Sequence, residues 1–195
     1  RMDVTLPPRL PAAGLVHPRL PGSNYPFPHL CGAGVAFKLA WGICQRLGDG
    51  KKASPRMREF LMSAVGLAAI GTVADVVPLL GENRVLVRKG LRQMRQTTRQ
   101  GLFSLAAVSE VVLAKVNAGH IGFMLGPRLN AAGRLKEALA AFELLTTKEA
   151  SKAGELAQQL DMQNRERQRI TRDMQKKAEE IAMSDDPEAF LLFAA

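Results

Sequence analysis

Cysteine is scarce in this chain, and its scarcity excludes two architectures at once. Cys31 and Cys44 are the only two in 195 residues, too few and too loosely spaced for a disulfide framework or a zinc knuckle. His17 and His29 lie near Cys31, but no CxxC or HxxxH spacing joins them, and they read as ordinary loop and core residues. Long apolar runs are missing too. None reaches the roughly 20 residues that cross a bilayer, and no basic stretch followed by an apolar one opens the chain as a leader would. The expectation is a soluble, cytoplasmic protein with no membrane partner.

Acidic charge is deficient in the first half only. The formal charge is +9, with 15 Lys and Arg against 5 Asp and Glu in residues 1–100, and 12 against 13 in residues 101–195. A surplus of that kind suits a polyanion such as nucleic acid, although many soluble proteins are basic without binding one. Apolar side chains make up 47% of the chain, ample for a buried core in one domain or one and a half. Both ends read as interrupted: Arg1 leads straight into proline-rich loop, and the apolar run AFLLFAA closes the chain with no partner strand after it. The expectation is a segment of a longer protein.

Seven of the eleven prolines fall in the first 28 residues, which makes that stretch loop with at most one short strand near Leu15 to His17. CGAGVAFKLAWGICQRLG then predicts a helix ending at Gly48, with Val35, Ala36, Leu39, Ala40, Ile43 and Leu47 at helical spacing. Ser54 as N-cap and Pro55 at the first helical position open a second helix, which runs into GTVADVVPLLGENR. A third spans about Asn83 to Thr98 on Val87, Leu91 and Met94, and residues 101–114 and 135–146 read as two more. From Lys148 to Met183 a long helix is apolar at Ala150, Ala153, Ala157 and Leu160, polar at Asn164, Arg167 and Thr171, and apolar again at Met174, Ala178 and Ile181. Such a helix suits a strut packed at both ends and solvated between, or a coiled-coil arm.

Three features carry possible chemistry. Asp75 is the only charged residue between Glu59 and Glu82, and its apolar neighbours suggest burial, which a carboxylate tolerates only with a cation, backbone N–H groups or a metal. It reads either as a hard oxygen ligand for Mg²⁺ or Mn²⁺ or as a helix-capping residue before Pro78. Arg84, Arg88, Arg92, Arg95 and Arg99 repeat at four, four, three and four, placing five guanidinium groups on one helical face. Their mutual repulsion gives a lone helix nothing, whereas a phosphate backbone gains from it; a solvated basic face is the other reading. Arg165, Arg167, Arg169, Arg172, Lys176 and Lys177 alternate with acids and read as solvated.

The third feature is GFMLGPRLNAAGRL, residues 122–135, where Pro127 stiffens the backbone, Gly126 and Gly133 permit unusual dihedrals, and Ala131 and Ala132 allow close approach. A rigid bend there would present Arg128, Asn130 and Arg134 as donors to a phosphate. An interhelical salt-bridge hub competes with that reading.

GPRLNAAGRL, GTVADVVPLLGENR, HPRLPGSNYPFPHLCGAGVAFKLAW and NRERQRIT together, over nearly the whole chain and in the family's order, resemble the RecJ family of the DHH phosphoesterase superfamily. The resemblance implies a 5′ to 3′ exonuclease on single-stranded DNA in repair and recombination. It implies an α/β DHH lobe holding two Mn²⁺ or Mg²⁺ ions, a smaller DHHA1 lobe, and a long helix joining them with DNA threaded between. On that footing Asp75 is the catalytic, metal-binding aspartate of GTVAD, Arg128, Asn130 and Arg134 line the substrate path, and Gly32, Gly34 and Phe37 support the site; Arg88 and Arg92 of the basic stripe are the further substrate-binding candidates, on their spacing alone. Single-stranded DNA is the expected partner, with single-strand-binding protein a further candidate. Aromatics are only 5% of residues, so phosphate contacts should dominate over base stacking.

The chain departs from the family pattern at both ends. The early aspartates and the Asp-His-His signature are absent, as is the glycine and histidine motif of the second lobe, so the two-metal site is incomplete and the chain as it stands should not cleave DNA. The fold class expected is α/β, mostly helical over this stretch. Residues 1–82 would belong to the DHH lobe, 83–147 to a helical region with the GPRLNAAGR motif, 148–183 to the connecting helix and 184–195 to the first strand of DHHA1. A related DHH phosphoesterase acting on oligonucleotides or nucleotides, and a non-catalytic helical nucleic-acid-binding protein, are the alternatives.

Overall fold

The computed structural model describes residues 14–130 and 135–185, and among these every regular element is helical. The mostly helical expectation holds. No strand forms at Leu15–His17, where Pro18 follows at once and, among the described residues, no neighbouring strand offers a ladder. The closing strand expected in AFLLFAA, residues 1–13, and residues 131–134 with Arg134 all lie outside the described residues. Contacts divide the chain into two units, Arg1–Arg88 and Lys89–Ala195.

The first unit holds α1 (Gly32–Arg46), α2 (Pro55–Ala74) and the start of α3 (Gly81–Met94). The Cys31 sulfur caps α1 by accepting from the Gly34 N–H at 3.3 Å and lies 3.5 Å from the Thr72 hydroxyl of α2. Ser54 caps α2 through the Met57 N–H with Pro55 just inside, as expected. Leu30, Val65 and Leu86 form a core, with Tyr25, Phe27, Val35 and Phe37 packed on it. Gly81 adopts φ +47° directly against the Phe27 ring, where a Cβ would come within 2.8 Å of ring carbon.

The spacing in α1 misleads about its buried face. Gly34 and Cys44 are its buried residues, whereas Leu39, Ile43 and Leu47 of the expected stripe stay exposed. The helix meets α2 where Ala33 lies against Gly71, because backbones approach closely only where side chains are short. A second correction concerns α2, whose 20 residues make it long and apolar enough to cross a membrane by length and composition. Its buried residues include Leu61, Val65, Ala68, Ala69, Ile70 and Thr72, the pattern that a core helix shares with a membrane span.

The second unit contains α4 (Gln100–Val108), a 3₁₀ turn (Leu113–Lys115), α5 (Ala118–His120), a π-type turn (Ile121–Leu125), α6 (Gly126–Asn130), α7 (Leu135–Thr146) and α8 (Ala150–Asp185). Helices α4, α6 and α7 pack on α8 over a core that includes Leu105, Leu125, Leu144, Ala153, Ala157 and Leu160. Residues 101–114 are therefore a shorter helix plus a separate turn. The buried stripe of α8 extends to Asn164, while Met174 and Ile181 stay exposed. Among the described residues α8 is thus packed along its first half and solvated along its second.

Candidate nucleic-acid interface

Asp75 occupies the C-cap of α2, its N–H bonded to the Gly71 carbonyl at 3.0 Å, and its side chain is exposed. The burial expected from its apolar neighbours does not occur, because the helix ends there and turns its next residues outward. Val76 follows at φ 54° and is 87% exposed, a left-handed conformation that a β-branched residue adopts only under constraint. Asn83 supplies that constraint from the far side of the loop. Wholly buried, it donates to the His29 carbonyl at 2.7 Å and the Pro78 carbonyl at 3.0 Å, tying the segment after Asp75 to the entrance of α1. Asn83 was not singled out from sequence; a lone Asn one turn into a helix carries no periodic signal.

Nearby, Glu82 accepts the Tyr25 hydroxyl at 2.9 Å and the Lys38 ammonium at 2.8 Å, and Lys38 also sits over the Tyr25 and Trp41 rings. Burial pushes the Glu82 carboxyl up, but the Lys38 and Tyr25 hydrogen bonds and the Lys38 charge outweigh it and hold the group below its ordinary range. Burial likewise pushes Lys38 down, and its contacts with Glu82 and Tyr25 reverse this and hold it above its ordinary value.

The arginine stripe splits in two. Arg84, Arg88 and Arg92 are exposed on α3 at steps of four. Helix α3 stops at Met94 rather than Thr98, so Arg95 and Arg99 fall beyond it. Arg95 donates to the Val116 carbonyl at 3.0 Å and Arg99 to the Leu145 carbonyl at 3.3 Å, roles that pin loops to the second unit's core.

Gly122 to Asn130 are helical rather than bent, a further correction. Gly126 has ordinary helical dihedrals, φ −57° and ψ −47°, so its glycine freedom is unused. Pro127 has no N–H to return to the preceding turn, and the wider π-type turn before it accommodates the missing bond. Phe123 projects from that turn, 86% exposed. Arg128 does not face solvent: its side chain is 15% exposed, with Nε donating to Asp161 Oδ1 at 2.8 Å, Nη1 to the Met124 carbonyl at 2.7 Å and Nη2 to the Val108 carbonyl at 3.3 Å. Of the two readings open to this arginine, the hub is the geometry found. Asn130 is exposed.

Asp161, 10% exposed, is the residue that sequence reasoning passed over, and its second oxygen accepts Arg165 Nε at 2.7 Å. Its signal was available, an acid beside Leu160 on the packed half of α8 and four residues before an arginine. No three His, Cys, Asp or Glu side chains among the described residues converge on a point. A hard divalent ion takes six or more oxygens, so Asp75 alone does not make a metal site.

No family model matches the chain. Among curated proteins it is similar to the single-stranded-DNA-specific exonuclease RecJ of Bacillus subtilis, 41% identical over 175 residues, 89% of this chain and 21% of that one. It is similar also to RecJ of Haemophilus influenzae, 37% identical over 93% of this chain and 32% of that one, and of Thermus thermophilus, 40% over 81% and 22%. The crystal structure of an exonuclease RecJ bound to manganese superposes with TM-score 0.71 at 37% identity, over 94% of this chain and 44% of that one. That of the Thermus thermophilus RecJ in complex with Mg²⁺ gives 0.67 at 38%, over 82% and 24%. The helical scaffold is therefore similar to one part of those two structures. The chain belongs to the RecJ family. The chain spans between about a fifth and a third of the length of the curated relatives it matches.

Proposed function

We propose that this chain is a segment of a metal-dependent exonuclease that degrades single-stranded DNA from 5′ to 3′ in repair and recombination, in the cytoplasm. The observation that carries the reading is the identity of 41% to a RecJ over 89% of the chain, so that the resemblance rests on the whole segment and not on one motif. In this reading residues 1–82 close the DHH lobe, 83–147 form the helical region beneath the substrate path, 148–183 connect the lobes and 184–195 begin DHHA1.

Arg88, Arg92, Asn130 and Arg134 meet the phosphates, and Arg128 holds α6 in register for them, reaching a phosphate itself only by releasing Asp161. Guanidinium groups suit this work because they stay charged and offer paired donors. Asp75, exposed at a helix end, gives one oxygen to an Mg²⁺ or Mn²⁺ site to which other residues of the enzyme contribute. One carboxylate does not hold a metal pair, so the chain alone binds without cleaving.

The test is Asp75→Ala in a complete RecJ-type enzyme carrying this segment. It should bind oligothymidylate as before and lose Mn²⁺-dependent release of nucleotides by orders of magnitude. Unchanged release would remove the ligand assignment.

A further inference from the structure

Asp161 has a task that the structure does not use up in packing. Its two oxygens face two different arginines: Oδ1 takes Arg128 Nε at 2.8 Å and Oδ2 takes Arg165 Nε at 2.7 Å. Arg128 is satisfied on all three nitrogens by protein acceptors. Arg165 is not. Its side chain is 70% exposed, and Nη1 and Nη2 have no protein acceptor among the described residues.

The surrounding charge sharpens the contrast. Glu166 and Asp173, the other acids near Arg165 on α8, are both engaged by Arg169 at 2.7 and 3.0 Å. Two guanidinium groups on one carboxylate leave a net positive charge, and it resides on the exposed partner. Arg172, two turns further along the same face, uses only Nε among the described residues, on the Gln168 carbonyl at 3.2 Å, and with Arg167, Gln168 and Thr171 it lines a shallow depression. A freely moving arginine loses rotamer freedom when it meets a ligand, whereas one already held at Nε has less to lose and presents its two terminal nitrogens in a fixed fork.

We infer that Asp161 is a positioning residue that aims the terminal nitrogens of Arg165 at a phosphodiester group of a single strand. The inference deepens the nucleic-acid reading above and rests on it. Asp161 itself touches no substrate; it locks Arg128 inward and Arg165 outward with one carboxylate.

The experiment measures binding of labelled oligothymidylate to the chain by fluorescence anisotropy across a salt series, with melting temperatures alongside. Arg165→Ala should weaken binding several-fold, leave the melting temperature unchanged and reduce the slope of log K against log salt by about 0.7, the single-strand value for one phosphate contact. Arg165→Lys keeps the charge but lacks the fork, so it too should bind more weakly than the parent chain.

Asp161→Asn separates positioning from simple charge. Removing a negative charge would tighten binding to DNA if Asp161 were only a nearby anion, but binding should weaken if its carboxylate aims Arg165, and Arg165→Ala in that background should then add little. Tighter binding by Asp161→Asn, or an Arg165→Ala chain with the parent's affinity and slope, overturns the inference. If Asp161→Asn does not fold, Arg165→Lys decides: affinity equal to the parent's rejects an aimed fork. Absence of salt-dependent binding by the parent chain overturns the nucleic-acid reading and this inference together, whereas intact binding without Arg165 overturns this inference alone.

Discussion

Val76 is the residue at which local strain is plainest. A β-branched side chain at φ 54° costs about 1 kcal/mol relative to glycine, and this one, almost wholly exposed, recovers nothing by packing. Val76→Gly should therefore raise stability by up to about 1 kcal/mol in urea unfolding, less whatever backbone freedom glycine adds to the unfolded chain. No change, or a loss, would mean that the valine makes contacts outweighing the strain.

Glu82 gives a pH test at the same scale. Its folded pKa lies below the ordinary value, so its contribution is complete above about pH 4.3 and is lost as pH falls through the folded value. Lys38 is shifted upward, so its contribution is complete below about pH 10.4 and is lost as pH rises through its folded value. Glu82→Gln should cost about 1 kcal/mol at neutral pH, a modest figure because both partners are partly exposed. The gap between variant and parent should close on acidification below the carboxylate range, as read from melting temperatures across a pH series.

Among the elements, α4 and α7 approach most closely at Gly101. A Cβ there would run into the Leu144 carbonyl, which is backbone and cannot swing aside as a flexible side chain would. Gly101→Ala should destabilise the chain by about 2 kcal/mol despite alanine's better helix propensity, since overpacking against backbone exceeds the gain. Equal or greater stability would show that the two helices can separate without loss.

The length of α8 was readable from residues 148–183, which lack proline and contain only Gly154 among glycines. Its packing was only half readable. A 3.6-residue pattern reports which face of a helix can be buried, but burial depends on whether another element arrives to cover it, and among the described residues Met174 stays exposed. The exposed Leu39, Ile43 and Leu47 of α1 make the same point.

For the chain as a whole, the uneven charge is the property that bears most directly on binding. Arg84, Arg88 and Arg92 are exposed on α3; Arg95 is exposed too, but it and Arg99 donate to backbone carbonyls, so charge reversal should matter most at the first group. Arg88→Glu together with Arg92→Glu should lower affinity for oligothymidylate at low salt, and the difference should shrink as the Debye length falls toward roughly 3 Å at 1 M. Anisotropy titrations at several ionic strengths check this; affinity unchanged at low salt would leave those arginines as a solvated face.

The capped start of α2, the length of α8 and family membership were legible in the linear order of residues, because caps such as Ser54–Pro55, uninterrupted helical runs and the GPRLNAAGRL and GTVAD motifs are local patterns. Which way an ionic side chain points was not, because it depends on partners far away in the chain. Arg128 turned inward when Asp161, 33 residues on, arrived beside it, and Asp75 stayed in solvent because it caps α2 beyond Ala74, whereas Thr72 one turn earlier is buried against Cys31. A charged group settles where desolvation and pairing balance, and that balance exists only after the helices have assembled.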